Sequence, residues 1–282
     1  MFEDNYFFEE SENSIIKISG SDKFKFLQGI ISNDIYLLKN NSSVYSAILS
    51  PQGKFISDFI ISKYDDNLLV EINNKNLEEI LKKFSLFKLK SDISIQTIQN
   101  VKIILSNDKL SGLIKNNSTY FQDPRFKNLF VRNYIFKNNI ELNTKDFELR
   151  KLSRAEFEYI RLKNGVPDFQ VDKIFNKSFL MEMRFDKLNG ISWDKGCYLG
   201  QEITARMHYR KKIPKQIYQI KINFNTKVED TIFLDGSDIG IITSHDKKNG
   251  LAYLKKLKAD DKLKIFYSGD STLKVFDPWW SE

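Results

Sequence analysis

Residues 195–206 read Lys-Gly-Cys-Tyr-Leu-Gly-Gln-Glu-Ile-Thr-Ala-Arg, with Arg210 one helical turn further on. This run holds the chain's only cysteine, Cys197. A thiol serves as a nucleophile or a metal ligand once it is a thiolate. Lys195 supplies a nearby cation, and the unpaired N–H groups at the start of a following helix favour negative charge. Both features are expected to favour a thiolate there, which marks Cys197 and Lys195 as candidate reactive residues. Glu202 and Arg206 stand four apart with the acid first, the favourable order for a helical ion pair. The competing readings stay open on spacing alone. A lone cysteine is commonly a small buried hydrophobe, and a Glu–Arg pair on a surface helix contributes roughly 0.3–0.5 kcal/mol.

The elements around the run must place it. Gly196 and Gly200 bracket Cys197, so the backbone can turn tightly on either side. Good helix formers follow from Gln201 to about Arg210, and Pro214 lies just beyond. Upstream, Ile15 to Ile18 reads as a strand, followed by an amphipathic helix with a buried stripe of Phe24, Leu27 and Ile31. Strands are expected at Ser46 to Leu49, Phe55 to Tyr64 and Leu68 to Ile72, with Pro51-Gln52-Gly53 as a turn. Leu77, Ile80, Leu81 and Phe84 form the stripe of a helix begun near Asn74. Strands follow at Ile93 to Ile98 and Val101 to Leu105. A long helix is expected from about Thr144 to Lys163, stopped by Gly165 and Pro167.

The last portion changes character. Six short alternating runs lie between Gln216 and Phe276, separated by Asp235-Gly236, Asn249-Gly250 and Ser268-Gly269-Asp270, which are turn-forming pairs. Such a series predicts a small antiparallel barrel or sandwich. Its boundary is expected near Arg210 to Pro214, giving regions 1–210 and 211–282.

Composition bounds the classes. The chain has 282 residues, 41% of them hydrophobic and 29% charged, as expected of a globular protein of two or three domains. No apolar run approaches the ~18 residues of a membrane span. The acidic, aromatic start resembles neither a secretory signal nor a transit peptide, which leads to an expected cytoplasmic location. One cysteine rules out an internal disulfide framework, and with two histidines it is too few for a usual structural zinc site, so no metal is expected within the chain alone, while a cluster shared with a partner through Cys197 stays open. The net charge of +7 comes mostly from Lys spread along the chain. Its densest cluster is Arg210, Lys211, Lys212 and Lys215, either a solvated linker or a dock for a polyanion such as RNA or a polyglutamate tail.

The run from Lys195 to Arg206, continued through Arg210, resembles the signature of the YgfZ family, a folate-binding branch of the group that includes the glycine-cleavage T-protein, an aminomethyltransferase. Other stretches resemble it in order: Gly20-Ser21-Asp22 with Phe26-Leu27-Gln28-Gly29 and Asn33-Asp34; Ser50 to Lys54 followed by Asp58; Asp123-Pro124-Arg125 with Leu129 and Arg132; and Arg161 through Gly165 and Pro167. The resemblance implies an α+β protein of three small domains around a central opening, two of them intertwined α+β domains and the third the C-terminal barrel. Tetrahydrofolate or a one-carbon derivative is the implied ligand, with Phe157, Arg161, Tyr198, Gln201, Glu202 and Arg206 as implied binding residues. Phe157 stands where close relatives present a Trp to the ligand. The implied role is support of iron–sulfur enzymes, including a methylthiotransferase that modifies tRNA. Implied partners are iron–sulfur clients or assembly proteins. Two departures count against a working aminomethyltransferase. Lys163 replaces the acid that holds the pterin, and the Asn-Ala-Gly stretch is missing near Asn73-Asn74. A one-carbon-transfer enzyme is the second reading. An RNA-binding module carried by the basic stretch, with only weak RNA contact in the first reading, is the third.

Overall fold

A computed structural model describes residues 5–40, 42–107, 117–126, 129–136, 149–172, 178–223 and 226–281. The chain divides into two compact units. The first comprises Met1–Leu49, Ile56–Ser153 and Leu188–Leu199, and the second Ser50–Phe55, Arg154–Lys187 and Gly200–Glu282.

The first unit holds two five-stranded sheets. In one, β2 (Asn13–Ser19), β3 (Ser43–Leu49), β4 (Phe55–Tyr64), β5 (Asn67–Asn73) and β6 (Ser94–Thr97) lie in the order β3-β4-β5-β2-β6. Helices α1 (Lys23–Gln28) and α2 (Asn74–Lys88) carry the apolar stripes that close its core. Ile80 and Phe84 on α2 are fully buried, and Phe84 meets the ring of Phe26 edge-on at 5.6 Å. Asn73 caps α2, its side chain accepting from the Lys75 N–H.

The other sheet runs β10 (Arg150–Lys151), β1 (Tyr6–Glu10), β7 (Lys102–Ser106), β9 (Val131–Ile135), β8 (Ser118–Gln122). Strands β1, β8, β9 and β10 were not legible as strands in the sequence. The pair β10–β1 is parallel and the rest are antiparallel.

Two expected helices are shorter in the structure. The first ends at Gln28, and Ile31 instead forms an isolated bridge with Ile48. The chain leaves the helix because Asn33 donates to the carbonyls of Tyr45 and Asn189 and Ser32 donates to that of Gly190. The long helix expected from Thr144 is α3, Arg154–Lys163. Residues 144–148 lie outside the described residues, and Arg150 and Lys151 are extended because they pair with β1; Leu152 N–H continues that pairing to Phe7 O.

The second unit contains α3, α4 (Gln201–Tyr209) and a closed barrel of β11 (Lys215–Ile222), β12 (Thr231–Leu234), β13 (Ser237–His245), β14 (Asn249–Lys255), β15 (Phe266–Ser268) and β16 (Ser271–Phe276). The expected Asp235-Gly236 turn is present, with both residues at positive φ as a tight hairpin requires. The Asn249-Gly250 turn is not. Those residues begin β14, and the reversal falls at 246–248, where the Asp246 carboxylate accepts from the N–H groups of Lys248 and Asn249. Gly250 serves a close approach instead: a Cβ there would sit 2.5 Å from the Ser244 carbonyl oxygen. The strand expected over Leu263 to Tyr267 begins at Phe266, after a single 3-10 turn at Asp260–Leu263.

Gln219 of the barrel and the 3-10 turn Trp279–Ser281 that follows it cap the C-terminal end of α3. Gln219 donates to Lys163 O, Trp279 to Asn164 O and Trp280 to Gly165 O, at 2.8, 3.0 and 3.1 Å. These bonds satisfy carbonyls that a helix end leaves without partners. The barrel begins at Lys215, close to the expected boundary, while the unit containing it also takes in 50–55, 154–187 and 200–210. No helix among the described residues is long and apolar enough to cross a membrane.

Candidate functional site

The signature run crosses from one unit to the other between Leu199 and Gly200, so its two halves have separate surroundings. In the first unit, the Lys195 ammonium donates to the carbonyl oxygens of Gln28, Ile31 and Asn33 at 2.8, 2.6 and 2.9 Å. An ammonium has three N–H donors, and three carbonyls accept them. These acceptors are the end of α1 and the turn after it, which have no helical partners. Burial pulls the Lys195 pKa down to about 8, while Asp34 opposes the shift. Leu199 N–H bonds Gly29 O at 3.2 Å, so residues 195–199 are strapped to the end of α1 at both ends.

Cys197 lies between those attachments and is exposed, which removes the reading of it as a buried hydrophobe. Tyr198 is half-buried, with the Lys195 Nζ 4.9 Å from its ring centroid. Gly196 is exposed, and a Cβ there would meet nothing within 4 Å, so no steric demand for glycine is visible.

In the second unit, Gly200 caps α4 in the left-handed conformation, φ 79°, which favours glycine. The Pro51-Gln52-Gly53 turn packs against this helix start. A Cβ on Gly53 would be 3.0 Å from both Gly200 O and the Ile203 Cβ, so two stretches of the resemblance far apart in sequence meet through a glycine. Lys54, the next residue, sets its Nζ 3.3 Å from the ring centroid of Phe179, and burial lowers its pKa against the pull of Glu182. Gln201 is half-buried, and Glu202 and Arg206 form the expected i,i+4 pair on the exposed face.

The two candidates on α3 point inward. Phe157 is 7% exposed and Arg161 is 4% exposed. The Arg161 guanidinium bonds Glu158, Val166 O and Asp172, and Asp172 in turn accepts from Thr243 and Ser244 of the barrel at 2.7 and 2.6 Å. Arg161 therefore ties α3 to the loop after it and, through Asp172, to β13.

A buried ionic network in the first unit was not read from the sequence. Arg132 on β9 bonds Glu71 on β5 and also Asp123, which holds Arg125 through two further bonds at 2.9 and 3.0 Å. Tyr134 and Asn13 donate to the Glu71 carboxylate as well. Burial alone would raise the Asp123 pKa, but Arg125 and Arg132 overcome it and hold the carboxyl well below the usual range. Glu71 within Leu69-Val70-Glu71-Ile72 was the available signal, a charge among strand residues that are otherwise apolar. Among the described residues, no group of three His, Cys, Asp or Glu side chains is placed to hold a metal ion.

No protein-family model matches the chain. It is 29% identical over 246 residues to "Iron-sulfur cluster assembly factor IBA57 homolog, mitochondrial" of Dictyostelium discoideum, covering 73% of this chain and 60% of that protein. It is 29% identical over 235 residues to "tRNA-modifying protein YgfZ" of Hamiltonella defensa, covering 72% of this chain and 66% of the relative. The chain spans only 50–60% of the length of the first three curated relatives it matches. The glycine cleavage system aminomethyltransferase T of Bartonella henselae superimposes with a TM-score of 0.80 over 98% of this chain and 86% of that one, at 13% identity, a likeness of fold alone. By sequence the chain is a homologue of the IBA57 and YgfZ proteins, and its α+β architecture with a closed barrel is that of aminomethyltransferase T.

Proposed function

We propose that this protein is a tetrahydrofolate-binding accessory factor for assembly or repair of iron–sulfur clusters, serving iron–sulfur enzymes that include a tRNA-modifying methylthiotransferase. The observation that carries this reading is the match to proteins named for cluster assembly and tRNA modification across about seven-tenths of the chain. The donor set on α4 suits a folate. The Gln201 amide complements the N–H and carbonyl edge of a pterin, and Arg206, paired with Glu202 on the exposed face, suits the glutamate carboxylates. Phe157 on α3 is the aromatic residue we assign to the ligand. Arg161 acts by holding α3 in place.

Cys197 is the group we assign to cluster or client chemistry, because it is exposed on a strap fixed at both ends. Lys195 serves it by fixing that strap. A one-carbon-transfer enzyme is the second reading, favoured by the aminomethyltransferase fold and opposed by Lys163 and the missing Asn-Ala-Gly stretch. A one-carbon exchange assay with tetrahydrofolate and an aminomethyl donor separates the two, and turnover would establish the enzyme.

Titration calorimetry with tetrahydrofolate is expected to give micromolar affinity, about −8 kcal/mol. Phe157→Leu should weaken it about tenfold, ~1.4 kcal/mol, the scale of a single aromatic interaction. No heat and no thermal shift with any reduced folate would remove folate from the function. Cys197→Ala is expected to keep the fold and folate affinity while failing to restore iron–sulfur enzyme activity in cells lacking the native protein. Full restoration would leave Cys197 without a chemical role.

A further inference from the structure

A groove of about 790 Å³ lies between α3 and the barrel within the second unit. Four lysines line it: Lys163 at the end of α3, Lys221 on β11, and Lys247 and Lys248 on the turn before β14. All four are exposed. No acidic side chain is among the described residues that line it. Glu158 on α3 pairs with Arg161, and Asp246 on the turn accepts from the backbone of that turn and from the Asn249 amide. Four like charges around one concavity repel one another and give no stability, so their placement favours an anionic partner.

One aromatic ring belongs to the same groove. Tyr159 is 38% exposed, and the Lys163 Nζ stands 5.6 Å from its ring centroid. An exposed ring beside a track of cations is the arrangement that binds single-stranded nucleic acid. Lysines meet successive phosphates, and a base stacks on the aromatic face. A duplex would hide its base faces, and an acidic peptide would leave the ring unused. The groove's size also exceeds what one phosphate fills.

We propose that this barrel groove binds a short single-stranded stretch of nucleic acid, with Lys163, Lys221, Lys247 and Lys248 on the phosphates and Tyr159 under a base. The site is distinct from the 210–215 basic stretch and does not depend on folate binding. Lys163, the departure from the aminomethyltransferase pattern, is a cation of this groove.

The test is fluorescence polarisation of the full chain with 5′-labelled oligo(U) of ten nucleotides, from 50 to 300 mM salt. The triple variant Lys221→Gln/Lys247→Gln/Lys248→Gln is expected to weaken binding at least tenfold at low salt. It should lower the slope of log affinity against log salt by about 2, at ~0.7 for each phosphate no longer neutralised. Tyr159→Leu should weaken binding about fivefold with the slope unchanged, separating stacking from charge. All substituted lysines are exposed, and an unchanged melting temperature establishes that the fold is intact. Equal affinity and slope for the triple variant would overturn the proposal, as would loss of binding only in Lys211→Gln/Lys212→Gln. Binding of polyglutamate with none of oligo(U) would also overturn it, making the groove a carboxylate site.

Discussion

The charges of the first unit's network are buried, paired and balanced, whereas those of the barrel groove are exposed and of one sign. Glu71, Arg132, Asp123 and Arg125 amount to two carboxylates and two guanidiniums, each hydrogen-bonded to at least one other member. Ions removed from water require such neutral sets, because an unmatched one costs several kcal/mol. The groove lysines remain in water, where a single sign costs the fold little. Charge in the first region therefore holds two sheets in register, and charge in the second is left for something outside the chain.

The sharpest way to break this contrast is Arg132→Met. It leaves Glu71 buried without its guanidinium and Asp123 with Arg125 alone, and is expected to cost about 3–5 kcal/mol in urea unfolding. Lys221→Met, the matching change in the groove, should stay within about 0.5 kcal/mol. A cost below ~1 kcal/mol for Arg132→Met would mean that the network is replaceable by apolar packing.

Acid gives the second test. The Asp123 carboxyl has a lower pKa folded than unfolded, so its stabilisation is fully present above the unfolded value near 4. It is lost as the pH falls from there toward the folded value, at about 1.4 kcal/mol per unit of depression. Melting curves between pH 7 and 3 should show the wild type losing stability more steeply than Arg132→Met over pH 4 to 3. Parallel losses would assign the acid response of Asp123 to Arg125, its other guanidinium.

A smaller effect distinguishes a cation that serves the fold from one that does not, inside and beside the signature. Lys195→Met leaves three carbonyls without their donor and should cost about 1–3 kcal/mol, with faster hydrogen exchange at the Leu199 amide. The smallest effect is expected for Lys211→Gln/Lys212→Gln, both exposed: folate affinity within twofold of the wild type by calorimetry.

The barrel was legible because its information is local. Alternating runs and turn residues such as Asp235-Gly236 and Ser268-Gly269 act within a few residues of themselves, and six strands follow at nearly the expected places. The Asn249-Gly250 misreading shows the limit. Gly250 has the composition of a turn but answers a neighbouring strand's carbonyl. Strands β1, β8, β9 and β10 were missed because their identity comes from partners far along the chain, as when Phe7 pairs with Ser106 and Lys151.

The sequence by itself determined the chemistry on offer at residues 195–206, the i,i+4 pair of Glu202 and Arg206, the α2 stripe and the barrel, all set by short-range spacing. Only the tertiary structure decided what each charged group is used for. Lys195 reads as a neighbour of Cys197, yet its three donors go to residues more than 160 positions away. Arg161 reads as a ligand contact and is enclosed by Asp172 and Glu158, while Lys163, two residues on, opens into the groove. Burial and partners are properties of the folded chain, and a side chain's charge, donors and reach do not state which of them folding will leave accessible.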